Sequence, residues 1–294
     1  MATLTITADM VKKLRDRTGA GMMECKAALT EANGDFEEAN TILRKRGLAS
    51  AAKKAGRATG EGLIGSRLST DRATGILVEV NCESDFVART PDFQQLIQDV
   101  LTEIEKAGDA AGEGWLQNPD GPIKKRVAAT IAKLGENIAV PRFVRFAGSG
   151  YIGQYIHAVG GKIGVQVEFG AVTPAIRDRE EFTNLVKEIA MHIAAASPTP
   201  QYLSRDQVPP DVIEQEKAIY RAQIAAEGKP PNIVEKIVDG KLASFYGQVV
   251  LLEQPSVVRD QKMTVKQVLT SAAQALGAPV TITRFARLKV GEST

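Results

Sequence analysis

Apolar positions recur along the chain with two periods, three to four residues in some stretches and two in others, so both helices and strands are predicted. Over residues 7–47 the helical period dominates and breaks twice, which predicts three short helices. Thr7 caps the first, which carries Met10, Val11 and Leu14; Gly19 and Gly21 interrupt it, and Met22 to Leu29 open the second. Asn33-Gly34 ends that helix. Asp35, three before Glu38, makes a capping-box start for a third with Phe36, Ala39, Ile42 and Leu43, and Gly47 is its expected stop. Ile76 to Val80 then reads as a strand that runs into a polar turn, Ser84-Asp85-Phe86-Val87. A helix follows, with Thr90 as N-cap, Pro91 at its first position and Asp92 in its first turn. Further on, Ile123–Leu134 is helical and Val140–Phe146 a strand. Ser197-Pro198-Thr199-Pro200 is a stop, and two helical patterns over 211–227 and 232–246 are joined at Gly228-Lys229-Pro230-Pro231. Val249–Leu252 reads as a strand, Thr264 caps a helix to about Leu276, and Val280–Leu288 closes the chain as a strand.

Part of this pattern occurs twice. Gly62-Leu63-Ile64-Gly65 returns 88 residues later as Gly150-Tyr151-Ile152-Gly153, and Gly75-Ile76-Leu77-Val78-Glu79-Val80 returns 89 residues later as Gly164-Val165-Gln166-Val167-Glu168-Phe169. Phe93, Leu96, Ile97 and Val100 match Phe182, Leu185, Val186 and Ile189 at that same spacing. Each copy reads strand, turn, strand, loop, helix. The expected architecture is α+β: an N-terminal three-helix domain (1–50), a basic linker (51–60), one core subdomain (61–140), a second (141–210 and 247–294), and a helical hairpin inserted as an arm (211–246). The short connection makes the two arm helices antiparallel neighbours. The pattern fits both plain packing on the chain's own core and a protruding coiled coil that pairs with a second copy.

The repeat removes a decoy. Gly60-Glu61-Gly62-Leu63-Ile64-Gly65 and Gly148-Ser149-Gly150-Tyr151-Ile152-Gly153 both fit GxGxxG, but each precedes a strand and a hairpin turn rather than a helix N-terminus. Gly160-Gly161-Lys162 lacks the rest of a phosphate loop, because Ile163 follows the lysine.

Charge and chemistry narrow the function. With 37 bases against 35 acids, no global attraction to nucleic acid or membrane is expected. Residues 44–57 are basic and carry the alternative reading, an RNA- or ribosome-associated protein; no aromatic is interleaved for base stacking, which favours a solvated hinge. Cys25 and Cys82 form no CxxC pair and are expected as reduced thiols. No apolar run is long enough for a membrane helix, and the first residues lack a signal-peptide layout, so the cytoplasm is the expected compartment. His157 and His192 are the only histidines, and no metal cluster or nucleophile–base grouping is visible, so no cofactor or covalent catalysis is expected. Binding is left. Within it, Phe86 has two readings, a ring folded back into the core or a projecting anchor for a partner.

Two long segments settle the comparison with known families. Arg17-Thr-Gly-Ala-Gly-Met-Met-Glu-Cys-Lys-Ala-Ala-Leu-Thr-Glu-Ala-Asn-Gly34 and Val80-Asn-Cys-Glu-Ser-Asp-Phe-Val-Ala88 resemble the translation elongation factor Ts family, supported by Lys133-Leu-Gly-Glu-Asn137, His157 and Gly161-Lys-Ile-Gly164. The resemblance implies a ubiquitin-associated-like N-terminal domain, two related subdomains and a coiled-coil arm. It further implies a guanine nucleotide exchange factor for elongation factor Tu, whose loop, here Ser84, Asp85, Phe86 and Val87, disturbs the partner's Mg²⁺ and phosphate site. Serine stands where the family usually has threonine. Arg15, Met22, Met23, Leu134, Gly135, Glu136 and His157 are the other implied contacts, with one of the two methionines expected in the three-helix core, Leu134 open to a core role and His157 equally open to the role of an ordinary strand histidine. Some family members carry a C-terminal helix beyond the last strand that has no counterpart in Gly291-Glu-Ser-Thr294.

Overall fold

The computed structural model describes residues 5–112, 114–225 and 230–292. Three helices come first: α1 (Ala8–Thr18), α2 (Met22–Glu31) and α3 (Phe36–Lys54). Val11, Leu14, Cys25, Ala28, Leu29, Ala32 and Ala39 form their small core. The caps follow the sequence reading at Thr7, whose hydroxyl accepts the Met10 N–H, and at Asp35, which accepts the Glu38 N–H at 2.8 Å. Asn33 and Gly34 both take left-handed φ and end α2.

Gly47 does not end α3. The helix continues to Lys54, and Gly47 is buried where α3 crosses α6 (Pro122–Leu134): a Cβ there would lie 3.5 Å from the Cβ of Ala132. The glycine serves close approach of two helices instead of a left-handed cap. The last turn of α3 therefore carries residues 51–54, and the bases of the 44–57 stretch point to solvent, Arg46 pairing with Glu31 and Arg57 with Glu83.

Two sheets follow, each backed by helices. In the first, β2 (Thr74–Cys82) is central, antiparallel to β1 (Glu61–Leu68) on one side and to β3 (Ile138–Ala139) and β4 (Phe143–Ala147) on the other. The strand expected over Val140–Phe146 is thus two pieces, broken around Pro141, which has no N–H to give a ladder. In the second, β6 (Ile163–Gly170) lies between β5 (Tyr151–Ile156) and β7 (Thr281–Lys289). Short helices α4 (Asp85–Ala88) and α7 (Pro174–Arg177) lead into the long α5 (Pro91–Ala107) and α8 (Glu180–Ala195). Phe93, Leu96 and Val100 are buried against the first sheet; Phe182, Leu185 and Ile189 are buried against the second.

The repeat's glycines have a steric cause. A Cβ on Gly65 would come within 2.3 Å of Ile97, and one on Gly153 within 2.2 Å of Val186, the residue matching Ile97. The spacing that mimics a nucleotide loop lets strand and helix touch.

The repeat also extends further than the aligned segments. α6 and β4 in the first copy correspond to α11 (Val265–Leu276) and β7 in the second. Both helices end on a left-handed glycine, Gly135 and Gly277, and both copies then carry Arg-Phe-x-Arg, running into β4 at Arg142–Arg145 and lying within β7 at Arg284–Arg287. Arg142 pairs at 2.7 Å with buried Glu79, and Arg284 pairs with buried Glu168, its counterpart. The copies hold each other reciprocally: Ile64 N–H donates to Gly161 O at 2.9 Å, and Ile152 N–H donates to Arg72 O at 2.8 Å. Ile64, Leu77, Leu288 and Val290 fill the space between them.

Between α8 and α11 the second copy carries the inserted hairpin, α9 (Pro210–Ala225) and α10 (Pro231–Val249). Arg221 pairs with Glu235 at 2.8 Å and Lys241 bonds Gln223 at 3.1 Å, so the helices run antiparallel. The expected joint at Gly228-Lys229 lies outside the described residues. Val249–Leu252 is not a strand: Val249 closes α10, Leu251 opens a 3-10 turn, and only Val250 bridges to Tyr202. Its β-branched side chains are taken up by the cluster at the arm's root, with Val208, Leu242 and Tyr246.

Candidate functional site

The site is built where β2 leaves the first sheet. Ser84 is the N-cap of α4: its Oγ accepts the Val87 N–H at 3.4 Å. The same residue is clamped from outside by Glu136, whose carboxylate accepts the Ser84 Oγ–H at 2.6 Å and the Ser84 N–H at 3.0 Å. One residue earlier, Glu83 accepts the Asn137 N–H at 2.6 Å, and the Asn137 amide donates to Arg57 O at 2.8 Å. Two crossed carboxylates, with three hydrogen bonds between them, thus tie the strand exit to the α6–β3 connection, and charge-assisted bonds of this kind are the stronger sort. Below them the Cys82 thiol donates to Ser84 O at 3.1 Å; burial, aided by nearby Glu136, pushes its pKa up to about 11, so it stays a protonated donor near neutrality.

Behind this brace Val87 and Ala88 are buried. Phe86 is not. Its ring is 80 % exposed, which decides between the two readings of the residue: it projects. Asp85, beside it, is half-buried and pairs with Arg89 at 2.8 Å across one helical turn. The second copy shows what the position requires for folding alone. There α7 presents buried Ile176 for Val87 and exposed Ala175 for Phe86. A large apolar side chain is not needed at this place.

The other implied contacts lie along a connected path. Glu136 holds the loop from within the chain. Gly135, with φ 81°, is the exposed C-cap of α6, and Leu134 packs against the first copy's core. Next to them Lys133 pairs with Asp92 at 2.6 Å, and its stem lies beside Gly19, where a Cβ would be 3.4 Å from Lys133 Cδ. Gly19 leads directly to α2. The expectation that one of Met22 and Met23 is core is corrected: they are 57 % and 75 % exposed, because Cys25, Ala28 and Leu29 already fill the three-helix core. With Ile6, Val11 and Arg15 they border a hollow of ≈ 540 Å³. In the second copy His157 follows β5 and its Nδ1 is 3.0 Å from the Tyr155 hydroxyl. It borders an apolar hollow of ≈ 450 Å³ with Ile163, Met191, Val257 and Val258.

Among the described residues no group of three or more His, Cys, Asp or Glu is placed to hold a metal ion, and no helix is long and apolar enough to cross a membrane. Both cysteines are free and buried. The residue the sequence reading missed is Val159, 80 % exposed on the β5–β6 turn next to α4; one valine in a polar turn gives no periodic signal.

A family model described as Elongation factor TS matches residues 83–292. Proteins called Elongation factor Ts are similar over nearly the full chain. That of Trichlorobacter lovleyi is 44 % identical over 295 residues, covering 98 % of this chain and 94 % of the relative. That of Aquifex aeolicus is 42 % identical over 298 residues, covering 98 % and 99 %, and that of Lawsonia intracellularis 40 % identical over 297 residues, covering 98 % and 100 %.

Proposed function

The chain belongs to the elongation factor Ts family, and on that premise we propose that it is a non-covalent guanine nucleotide exchange factor for elongation factor Tu, with Phe86 as the wedge. The observation that carries the reading is an 80 % exposed phenyl ring on a loop braced at the strand exit by Glu136 and Asn137 and anchored behind by buried Val87 and Ala88. A rigid, exposed ring loses little entropy on docking and gains most of its burial.

In the partner's GTP-binding domain a phosphate loop, switch segments and Mg²⁺ hold the nucleotide. Phe86 enters an apolar slot beside that site, Asp85 exchanges its exposed bond to Arg89 for one to the partner, and Ser84 and Val87 fix the helix that carries them. Linkage makes the effect reciprocal: weakening GDP by about a thousandfold needs roughly 4 kcal/mol of coupling. Burying one phenyl ring supplies about 1.5–3 kcal/mol. The remainder comes from the disturbed Mg²⁺ contacts, so the ring is necessary and not sufficient. Exchange runs in both directions, and the excess of GTP sets the product.

Met22, Met23 and Arg15 form a second contact on the ubiquitin-associated-like N-terminal domain, where flexible thioethers suit an adaptable surface. Leu134 and Gly135 flank the loop, Glu136 positions it, and His157 contacts another domain of the partner. The arm is a short coiled coil with its own core; Ile219 and Ile233, exposed on it, are the surface a second copy would use. The work is done in the cytoplasm, with no cofactor and no direct nucleic-acid contact.

The test is release of fluorescent GDP from elongation factor Tu. The chain accelerates release at substoichiometric concentration, and excess Mg²⁺ opposes it. Release at the spontaneous rate in its presence would sink the reading.

A further inference from the structure

The reciprocity between the copies breaks at one place. In the second copy α7 closes onto the β1–β2 turn: Arg177 Nη2 donates to Asp71 O at 2.6 Å, and the guanidinium lies 5.7 Å from the centre of the Tyr151 ring. At the repeat spacing Arg177 corresponds to Ala88, Asp71 to Gly160, and Tyr151 to Leu63. The first copy therefore has no arginine at the matching position, and the next residue, Arg89, pairs with Asp85 at the rim instead of closing the space. It has a hollow of ≈ 390 Å³ between α4 and the β5–β6 turn, floored by Leu63 and Ala88 and rimmed by Val159, Gly160 and two ion pairs, Glu61–Lys162 and Asp85–Arg89.

The hollow is rigid on both sides. α4 is held by Glu136. The turn is held to β1 by the Ile64–Gly161 bond and by the Lys162–Glu61 ion pair. It begins on the same helical turn that carries Phe86, so whatever meets the ring meets the hollow.

Resting on the exchange-factor reading, we propose that this hollow takes a basic side chain of the partner GTPase, seated as Arg177 is seated in the second copy. The aliphatic stem lies over Leu63 and Ala88, as long basic side chains lie on apolar surface. The charged head reaches the Gly160 end and the Asp85 carboxylate, which gives up Arg89 for it, while Glu61 stays paired with Lys162. Asp85 is available, since its pair with Arg89 is an exposed one of the weak kind. The ring then drives release, and the hollow sets how tightly and in which orientation the partner is held.

The experiment is the fluorescent-GDP release assay over a range of factor concentrations. Ala88→Arg supplies from within the chain the side chain that fills the counterpart space. It raises the half-saturating concentration about tenfold to a hundredfold, the worth of one charge-assisted contact, while the maximal rate stays near wild type. Because Ala88 is buried, its melting temperature is measured alongside, and an exposed pair tests the charge independently. Val159→Arg weakens binding and Val159→Glu does not, with the difference shrinking in high salt. Equal weakening by both means an apolar occupant and overturns the proposal, as does an unchanged half-saturation for Ala88→Arg in a folded protein. If wild type itself fails to release GDP, the exchange reading fails and not the hollow alone.

Discussion

The first and second copies share glycines, helix faces, buried Glu–Arg pairs and even the short helix before the long one, yet that short helix differs at two positions either side of one shared buried residue. The first has Phe86 and Ala88 where the second has Ala175 and Arg177. In the second copy the short helix is closed against its neighbour by an arginine and presents a methyl group to solvent. In the first it presents a ring and leaves a hollow. The shared features are those folding requires, since both copies keep them. The differences cost the first copy an exposed ring and an unfilled space, and neither has a folding benefit within the chain. That contrast separates scaffold from site more sharply than exposure of one residue does.

The comparison can be broken in several ways. The largest effect expected is on stability, at the shared Phe93 and Phe182, both fully buried. Either one changed to Ala costs about 3–5 kcal/mol, read by denaturant unfolding, whereas Phe86→Ala leaves the midpoint where it was. Gly65→Ala and Gly153→Ala should cost matching amounts of about 1–3 kcal/mol, because each new methyl meets the same helix position. Unequal losses would show that the two strand–helix contacts are not equivalent. Glu136→Ala removes both bonds to Ser84 and leaves the strand exit loose. Stability falls by about 1–2 kcal/mol, and the maximal exchange rate falls while Phe86 remains intact. Ala175→Phe, the reverse transplant, is worth less than about 0.5 kcal/mol in stability and adds nothing to exchange.

The smallest effect is in pH. His192 is buried in the second copy, its Nδ1 accepting the Val257 N–H at 3.2 Å and its Nε2 facing Gln254 Oε1 at 3.0 Å. Burial lowers its pKa below the ordinary 6.5, against a smaller upward pull from Gln254. The unfolded chain then binds the proton first, so this contribution to stability is full above pH 6.5 and is lost as pH falls below it. Unfolding midpoints across that window should drop for wild type and drop less for His192→Gln.

Local sequence carried the caps, the paired strands and the repeat, because Thr7, Asp35, Thr90 and Thr264 each act on a neighbour three residues away. What it misassigned depended on distant partners. Gly47 looks like a stop until α6 is seen to press against it, and Val249–Leu252 looks like a strand until the arm's root is seen to need those side chains. The full length of the repeat was written in Gly135 and Gly277, each seven residues before an Arg-Phe-x-Arg, but the inserted hairpin shifts the spacing and hides it. Of the site, the motif around Phe86 was legible as a likeness, and its exposure was not. The exposure of both methionines and the hollow beside Ala88 follow from which side chains the cores exclude, which no single segment encodes.

The central claim is that one ring, dispensable for folding, drives nucleotide release. The direct measurement is the maximal rate of fluorescent-GDP release from elongation factor Tu at saturating factor, wild type against Phe86→Ala. The account predicts a fall of about tenfold to a hundredfold, the worth of one buried ring, with an unchanged melting temperature. An equal maximal rate in a folded Phe86→Ala protein would contradict it.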